Sequence, residues 1–318
     1  MEVKIIPITG DASFRRFYRI VSKKKSTILV YAEKEKFKNL VAYSTINEFL
    51  RSKNILAPKL YNHDFKKGTM IIQDFGNLSF YKILLKTKKK FPIYKNLVNF
   101  LLTIQKIKVK KKIKNVNKGF YILDKYSKKK LLEESNLFFD WYLPLFYSKK
   151  KSKDIKIKTN TILLKLYNKL NLDNRCFVQR DYHSQNLMKV GKKIGIIDNQ
   201  DALLGNYAYD LVSLIDDVRI KTSEKLKKQI YNYYLKKNKA KLPNFYQDFN
   251  ILSVQRSLKI LGIFSRLFRR DKKNQYLKFF PYTWRLLEMR MKSKIFFELE
   301  KILNINIPKS YRKKTKFK

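Results

Sequence analysis

The segment QRDYHSQNLMKVGKKIGIIDNQDALLGNYAYDLVSL, residues 179–214, carries side chains whose types and order suit one kind of chemistry. Asp181 is followed five positions later by Asn186, and twelve residues beyond that an apolar run ends in Asp198. Moving a phosphoryl group from ATP to a hydroxyl requires a carboxylate that orients and deprotonates the acceptor, and hard oxygen ligands for magnesium. Asp181 suits the first task. Asn186 and Asp198 suit the second, because a loop that turns back along the following strand brings carboxamide and carboxylate together at the ends of one hairpin.

A second stretch bears on the same chemistry. In GDASFRRF, the residues Gly10, Asp11, Ala12, Ser13 and Phe14 lie between two predicted strands, and small side chains there let backbone N–H groups approach phosphate oxygens. Arg15, Arg16 and Arg19 can add charge-assisted bonds to phosphates. Strand alternation keeps all three from facing inward, so at least one is a solvated strand residue. An ordinary hairpin turn is the alternative for the loop as a whole. Gln73 and Asp74 follow a later strand, at a hinge where backbone groups can read a base edge.

These segments carry a resemblance. QRDYHSQN resembles the catalytic loop of the aminoglycoside-phosphotransferase and choline-kinase group, in which the Asp-to-Asn spacing is the same and a His often stands where His183 does. IIDNQDALLGNYAYDLVSL is similar to that group's metal-binding Asp strand, followed by a second Asp on the next helix. The GDASFRRF loop stands where kinases carry a glycine-rich loop. DASFRRFYRI, IIQDFG, FFDWYL and VQRSLKILGIFSRLFRRD resemble one branch, the bacterial anomeric kinases for N-acetylmuramate and N-acetylglucosamine. The resemblance covers nearly the full length. It implies ATP and Mg2+ as cofactors, an amino sugar as the small-molecule partner, Asp181 as catalytic base, Asn186 and Asp198 as metal ligands, and a structural Asp210.

Two departures from the general kinase pattern stand out. The third strand, TILVYA, has no lysine to pair with phosphates and with a helix glutamate, although Glu48 is on the expected helix. By the resemblance, the anomeric kinases lack that lysine too. Lys34 and the arginines of the first loop are the candidates to replace it. Gln179 stands where a His usually begins the catalytic loop, and a Gln there is expected to hydrogen-bond backbone with activity retained.

Several neighbours have two readings. His183 either contacts the transferring phosphate or supports the loop, the latter being favoured. Asp201 either holds metal-bound water or sugar, or is an exposed turn carboxylate. Trp141 and Tyr142 either line a sugar pocket or pack in the core, and core packing is favoured. Glu134 is a substrate contact or, preferably, part of a solvated helix face.

The elements that must position these residues follow from periodicity. VKIIPI, RRFYRIV and STILVYA read as consecutive antiparallel strands. Residues 38–53 form an amphipathic helix with apolar positions 40, 41, 43, 46, 49 and 50, stopped by Ala57-Pro58. KLYNHD and TMIIQDF complete a five-stranded sheet, after which SFYKILLK, IYKNLVNFLLTIQKI, LLEESNLFFDWYLPLFY and TILLKLYNKLN are helical. CFVQRD and KIGIID are short strands enclosing a loop, and helices resume with DLVSLIDDV, KKQIYNYYLKK and VQRSLKILGIFSRLFRRD. The predicted class is α+β, a bilobal protein-kinase-like fold. A small antiparallel sheet lobe with one helix (1–75) precedes a larger, mainly helical lobe (76–308), and a basic tail (309–318) with little to bury is expected to be mobile.

Composition sets the bounds. In 318 residues, 44% apolar, there is enough to build a core, while 73 Lys and Arg against 25 Asp and Glu give a net charge of +48. The excess is mostly lysine, scattered in runs and accompanied by Ile, Asn, Tyr and Phe, as A- and T-rich codons would produce. No nucleic-acid module is legible on top of it, so no specific nucleic acid is expected as a partner. The single cysteine, Cys176, has no internal partner and reads as a small core residue. Apolar runs fall short of a secretory signal or a membrane span, so the expectation is a cytoplasmic protein without a membrane partner, with a monomer favoured.

Overall fold

The computed structural model describes residues 3–8, 15–22, 25–32, 36–109, 111–238 and 244–317. Gly10, Asp11, Ala12, Ser13, Phe14 and Lys34 lie outside the described residues. Contacts divide the chain into two compact units, Met1–Asp124 with Cys176–Leu204, and Lys125–Arg175 with Gly205–Lys318.

In the first unit, β1 (Val3–Ile8), β2 (Arg16–Ser22), β3 (Lys25–Tyr31), β4 (Leu60–Asp64) and β5 (Thr69–Gln73) form an antiparallel sheet in the order β1-β2-β3-β5-β4. The inserted helix α1 (Lys36–Ser52) follows the third strand, as periodicity predicts. Strands β3 and β5 alternate in burial, so Ile28, Val30, Met70 and Ile72 face Leu40 and Val41 of α1. Each such side chain contributes roughly 1.5–3 kcal/mol on burial. β1 is an edge strand with most of its residues exposed.

Helices α2 (Phe80–Lys86) and α3 (Phe91–Gln105) come next, then a hairpin, β6 (Lys112–Lys114) and β7 (Phe120–Ile122), that the sequence pattern did not reveal. Further on, β8 (Cys176–Val178) precedes the hairpin of β9 (Leu187–Val190) and β10 (Lys193–Ile196), and β11 (Leu203–Gly205) pairs with β8. Of these, β9 and β11 are additions to the predicted strands. Backbone bonds from Lys189 N–H to the Leu78 carbonyl (2.8 Å) and from Ile196 N–H to the Leu56 carbonyl (2.9 Å) stitch the hairpin to the chain on either side of β4 and β5. Residues 176–204 thus group with the sheet in the first unit.

The second unit is helical. It contains α4 (Lys128–Leu137), α5 (Lys149–Tyr167), α6 (Ala208–Ile215), α7 (Glu224–Lys237), α8 (Phe245–Asp271), α9 (Phe280–Arg290), α10 (Phe297–Asn306) and α11 (Lys309–Lys313). α8 begins nine residues earlier than VQRSL suggests, because Phe245, Phe249, Ile251 and Leu252 extend its buried face. A π-helical turn, Phe138–Tyr142, continues α4. The tail needs correcting: residues 309–317 do bury side chains. Arg312 is 7% exposed, with its guanidinium bonded to Glu288 (2.6 Å), Asn304 (2.7 Å) and the Ile307 carbonyl (2.9 Å), and the Tyr311 ring stacks on Phe146 at 4.2 Å. Basic side chains count as solvated only when no acceptor meets them. Among the described residues no helix is long and apolar enough to cross a membrane.

Candidate active site

The loop after β8 is held from several sides. Gln179 is fully buried; its Nε2 donates to the carbonyls of Ile197 (3.1 Å) and Asp198 (3.0 Å), while its Oε1 accepts from the Asp181 N–H (2.9 Å). The Asn186 carboxamide donates to the Asp181 carbonyl (3.1 Å), and the Ile197 N–H donates to the Asn186 carbonyl (3.0 Å). His183, buried, gives its N–H to the Asp181 carbonyl (2.8 Å) and accepts from the Asn186 N–H (3.0 Å). Tyr182 anchors the loop by donating its hydroxyl to the Leu97 carbonyl of α3 (2.8 Å). Asp181, Asn186 and Asp198 are thereby gathered at one end of the β9–β10 hairpin. Arg180 and Asp198 adopt left-handed backbone, φ 75° and 64°, a conformation that non-glycine residues keep only when neighbours impose it.

Charge is concentrated at this end. The Asp198 carboxylate accepts from Arg15 Nη2 (2.9 Å) and Gln200 Nε2 (3.1 Å). Partial burial, then the negative charges of Asp181 and Asp201, raise its carboxyl above the ordinary value, against the pull of Arg15 and the Gln200 bond. Gln200 also donates to Asp201 (3.2 Å), whose carboxylate lies 3.7 Å from Arg180 Nη1. Asp201 is half exposed and tied into this cluster. Gln200, buried between the two aspartates, was not singled out by sequence reasoning; its place between Asp198 and Asp201 was the available signal.

The donor set fits a magnesium ion that arrives with a nucleotide. The nitrogen of Asn186 is committed to a carbonyl, so its oxygen is the atom suited to a hard cation, and Asp198 lines the same cavity as Asn186. Mg2+ usually takes one or two such protein ligands and fills its shell with phosphate oxygens and water. Among the described residues no group of three or more His, Cys, Asp or Glu side chains offers an all-protein cage.

A cavity of about 330 Å³ opens onto Asn186 and Asp198. One part is apolar, with Phe17, Ile28, Ile72, Phe75 and Met188 among its walls, and the other is polar, with Arg15, Asn186 and Asp198. Such a division suits a ligand with a flat apolar body and an anionic end. Gln73 and Asp74 line it too, but their side chains are engaged within the unit. Gln73 Oε1 accepts from the Lys59 N–H (3.4 Å). Asp74 accepts from Arg19 Nε (2.5 Å) and Nη2 (3.0 Å), Ser26 (2.8 Å) and the Gly76 N–H (2.7 Å). Against burial, these bonds and the Arg19 charge hold the Asp74 carboxyl below its ordinary value. Of the arginines singled out, Arg15 is buried and Arg19 is bound to Asp74. Arg16 has an exposed side chain and is not among the cavity-lining residues, because strand alternation turns it outward. Glu48 accepts from the Leu60 N–H (3.5 Å).

Three candidates belong to the second unit. Glu134 is buried rather than on a solvated face: it accepts from the Tyr126 hydroxyl and Gln255 Nε2 (3.1 Å), and Lys259 Nζ lies 3.4 Å away. Trp141 is half-buried in the π-helical turn. Its neighbour Tyr142 is core, stacked on Phe138 at 4.9 Å and accepting from Trp284 Nε1 (2.9 Å). Asp210 is fully buried in the first turn of α6.

Comparison with known proteins bears on the same residues. The model of the phosphotransferase enzyme family, APH, matches residues 4–245. An N-acetylmuramate/N-acetylglucosamine kinase of Pseudomonas aeruginosa is 28% identical over 292 residues, 90% of this chain and 83% of that one. A protein of the same name from Neisseria meningitidis is 28% identical over 281 residues, 84% and 79% of the two chains. Among solved structures, an ADP-bound aminoglycoside phosphotransferase superposes with a TM-score of 0.59 at 13% identity, covering 90% of this chain and 92% of that one. A choline/ethanolamine kinase family protein from Mesorhizobium loti superposes with a TM-score of 0.62 at 11% identity, covering 95% and 92%. At these identities the superpositions speak for the fold, which is the predicted bilobal α+β arrangement.

Proposed function

The chain belongs to the phosphotransferase enzyme family, and from that premise we propose that it transfers the terminal phosphoryl group of ATP to the anomeric hydroxyl of an N-acetylated amino sugar, N-acetylmuramate or N-acetylglucosamine. The observation that carries the reading is that Asn186 and Asp198 line a cavity with an apolar body and a polar end, while Asn186 is bonded to the backbone of Asp181 in the same loop. The acceptor class is supported by the two relatives named for it, each aligned over more than four fifths of this chain.

In this reading Asp181 accepts the proton of the acceptor hydroxyl, or holds that hydroxyl in line with the phosphoryl group. Its backbone is fixed from both sides by Gln179 and Asn186, which holds the base of its side chain in place. Asn186 and Asp198 would hold magnesium, which offsets charge developing on the phosphates. The apolar walls contributed by Ile28, Ile72 and Phe75 take the adenine. The reaction belongs to the cytoplasm, where ATP is supplied.

The test is ADP release over a panel of amino sugars, choline, homoserine and aminoglycosides, with phosphorus NMR to locate the phosphate on the product. An N-acetylated amino sugar should be preferred and yield an acid-labile, alkali-stable anomeric phosphate. Asp181→Ala should lower turnover about a hundredfold to ten-thousandfold with the melting temperature nearly unchanged. Near-normal turnover in that variant would overturn the assignment, and preference for choline or an aminoglycoside would overturn the acceptor.

A further inference from the structure

The phosphate-binding cation that kinases place on the third strand is missing here, and the inward positions of β3 are taken by Ile28 and Val30. Glu48, which such a lysine would meet, is bonded to the backbone of Leu60 instead. A cavity meant for a polyanion with no cation at its polar end would repel its ligand, so some other residue has to supply the charge.

Two cationic side chains line the cavity among the described residues, Arg15 and Arg19. Arg19 is clamped to Asp74 through two bonds, and Asp74 is itself fixed by Ser26 and the Gly76 N–H. That pair is already neutral and satisfied. Arg15 differs in its partner and its place. Its side chain is 5% exposed, and its Nη2 reaches the Asp198 carboxylate, whose own side chain is 37% exposed. The guanidinium carbon sits 5.8 Å from the centre of the Phe17 ring and 6.0 Å from that of Tyr43, so aromatic faces hold it at the polar end.

We propose that Arg15 is the nucleotide's phosphate-binding cation, and that in the absence of nucleotide it holds Asp198, the carboxylate that the metal also needs. This rests on the kinase reading above. The two roles follow from one geometry. A guanidinium close enough to bond the carboxylate that would hold the metal is placed to bond the phosphates of a nucleotide arriving with it, and its planar fork matches phosphate oxygens. While Asp198 is bonded to Arg15, one lobe of that carboxylate is withheld from a free cation. Nucleotide phosphates give Arg15 an alternative anion and so release the carboxylate, which couples metal binding to nucleotide binding.

The coupling gives two effects of opposite sign. In Arg15→Gln, the affinity for ATP without added metal should fall about tenfold to a hundredfold, the range for hydrogen bonds to charged groups, while adenosine, which has no phosphate, should bind within about twofold of the parent. In the same variant without nucleotide, affinity for Mn2+, read by the loss of the free-ion EPR signal, should rise about 1.5-fold to fivefold as Asp198 loses its competing partner. Arg15→Lys should recover part of the ATP affinity, since the charge returns without the fork. Titration calorimetry with ATP, ADP and adenosine supplies the first readout, and adenosine binding reports that each variant is folded.

Equal ATP affinity in parent and Arg15→Gln would overturn the phosphate role, and unchanged or weaker Mn2+ binding would overturn the hold on Asp198. Asp198→Asn separates this from failure of the kinase reading. If that variant keeps Mg-dependent ATP binding and turnover, the metal assignment itself is wrong. If it loses both while Arg15→Gln binds ATP as the parent does, only the inference about Arg15 fails.

Discussion

Removing the side chain of Gln179 should disconnect the two carboxylates on which the proposed reaction depends. In Gln179→Ala, the Asp181 N–H and the carbonyls of Ile197 and Asp198 lose the bonds they now make at 2.9, 3.1 and 3.0 Å to one fully buried carboxamide. A net value of about 0.5–1.5 kcal/mol per bond sets the stability loss at roughly 2–4 kcal/mol. The same three bonds bridge residues flanked by left-handed backbone at Arg180 and Asp198, conformations that cost of order 1 kcal/mol or more each and relax when the bridge is cut. Relaxation by about an ångström at a reacting group costs on the order of a hundredfold in rate, or about 2.7 kcal/mol. Turnover should therefore fall about a hundredfold, with the KM for ATP changed far less because the apolar walls of the cavity are untouched. Gln179→Glu keeps the acceptor for the Asp181 N–H but sets a carboxylate against two carbonyls, and should lose at least as much stability as the alanine variant. Gln179→His, with one ring nitrogen to donate, should stay within about tenfold of the parent. Steady-state ADP release and scanning calorimetry decide the matter. An alanine variant that melts within a degree of the parent and turns over at its rate would refute the bridging argument.

The remaining predictions concern stability in the helical unit. Gly262→Ala would place a Cβ 2.3 Å from the Leu137 carbonyl carbon and 2.5 Å from its oxygen, and because backbone cannot move aside like a side-chain tip, a loss of about 1–3 kcal/mol or more is expected in chemical denaturation. Asp216 is buried and bonded to Arg290 (2.9 and 3.0 Å), Lys227 (3.1 Å) and Ser253 (2.7 Å). Burial opposes ionisation there, but the charges of Arg290 and Lys227 prevail and hold the carboxyl well below its ordinary range. A depressed carboxyl stabilises the fold fully above its unfolded value, about 3.9, and loses that contribution as pH falls toward the folded value. Asp216→Asn should cost about 3–5 kcal/mol at pH 7, where two cations lose their partner, and the gap to the parent should narrow below about pH 4 in thermal melts. A gap independent of pH would show that the carboxylate's charge is not what matters.

What could be foreseen in the sequence was what depends on local pattern. The sheet strands announce themselves by β-branched runs, and α1 by apolar residues at helical spacing, because each signal lies within one element. The loop from Gln179 to Asn186 was legible for a different reason: its candidate residues are close along the chain, and one hairpin suffices to bring Asp198 to them. The hairpin β6–β7 was missed because KIK and FYI are three-residue strands, too short for a periodic signal, and lysines flank the first. β11 was missed likewise: Leu203, Leu204 and Gly205 pass for a linker unless their pairing with β8 is known.

Charged residues were the hardest to place, since their fate is set by partners remote in sequence. Glu134 reads as solvated on its own helix, yet Gln255 and Lys259 of α8 arrive to satisfy it. Arg312 in a lysine-rich tail meets Glu288 and three backbone or side-chain oxygens. Arg15 could be singled out as a phosphate ligand from its loop, but its bond to Asp198 spans 183 residues and no spacing rule reaches that far. With 73 basic residues in the chain, the charge of any one of them says little about its task. Burial beside a carboxylate is what discriminates: desolvating a guanidinium costs several kcal/mol unless an anion meets it, so a buried, ion-paired arginine marks a place where negative charge is held. Arg15, Arg290 and Arg312 all meet a carboxylate in this way, and Arg15 is the one whose carboxylate opens onto the cavity.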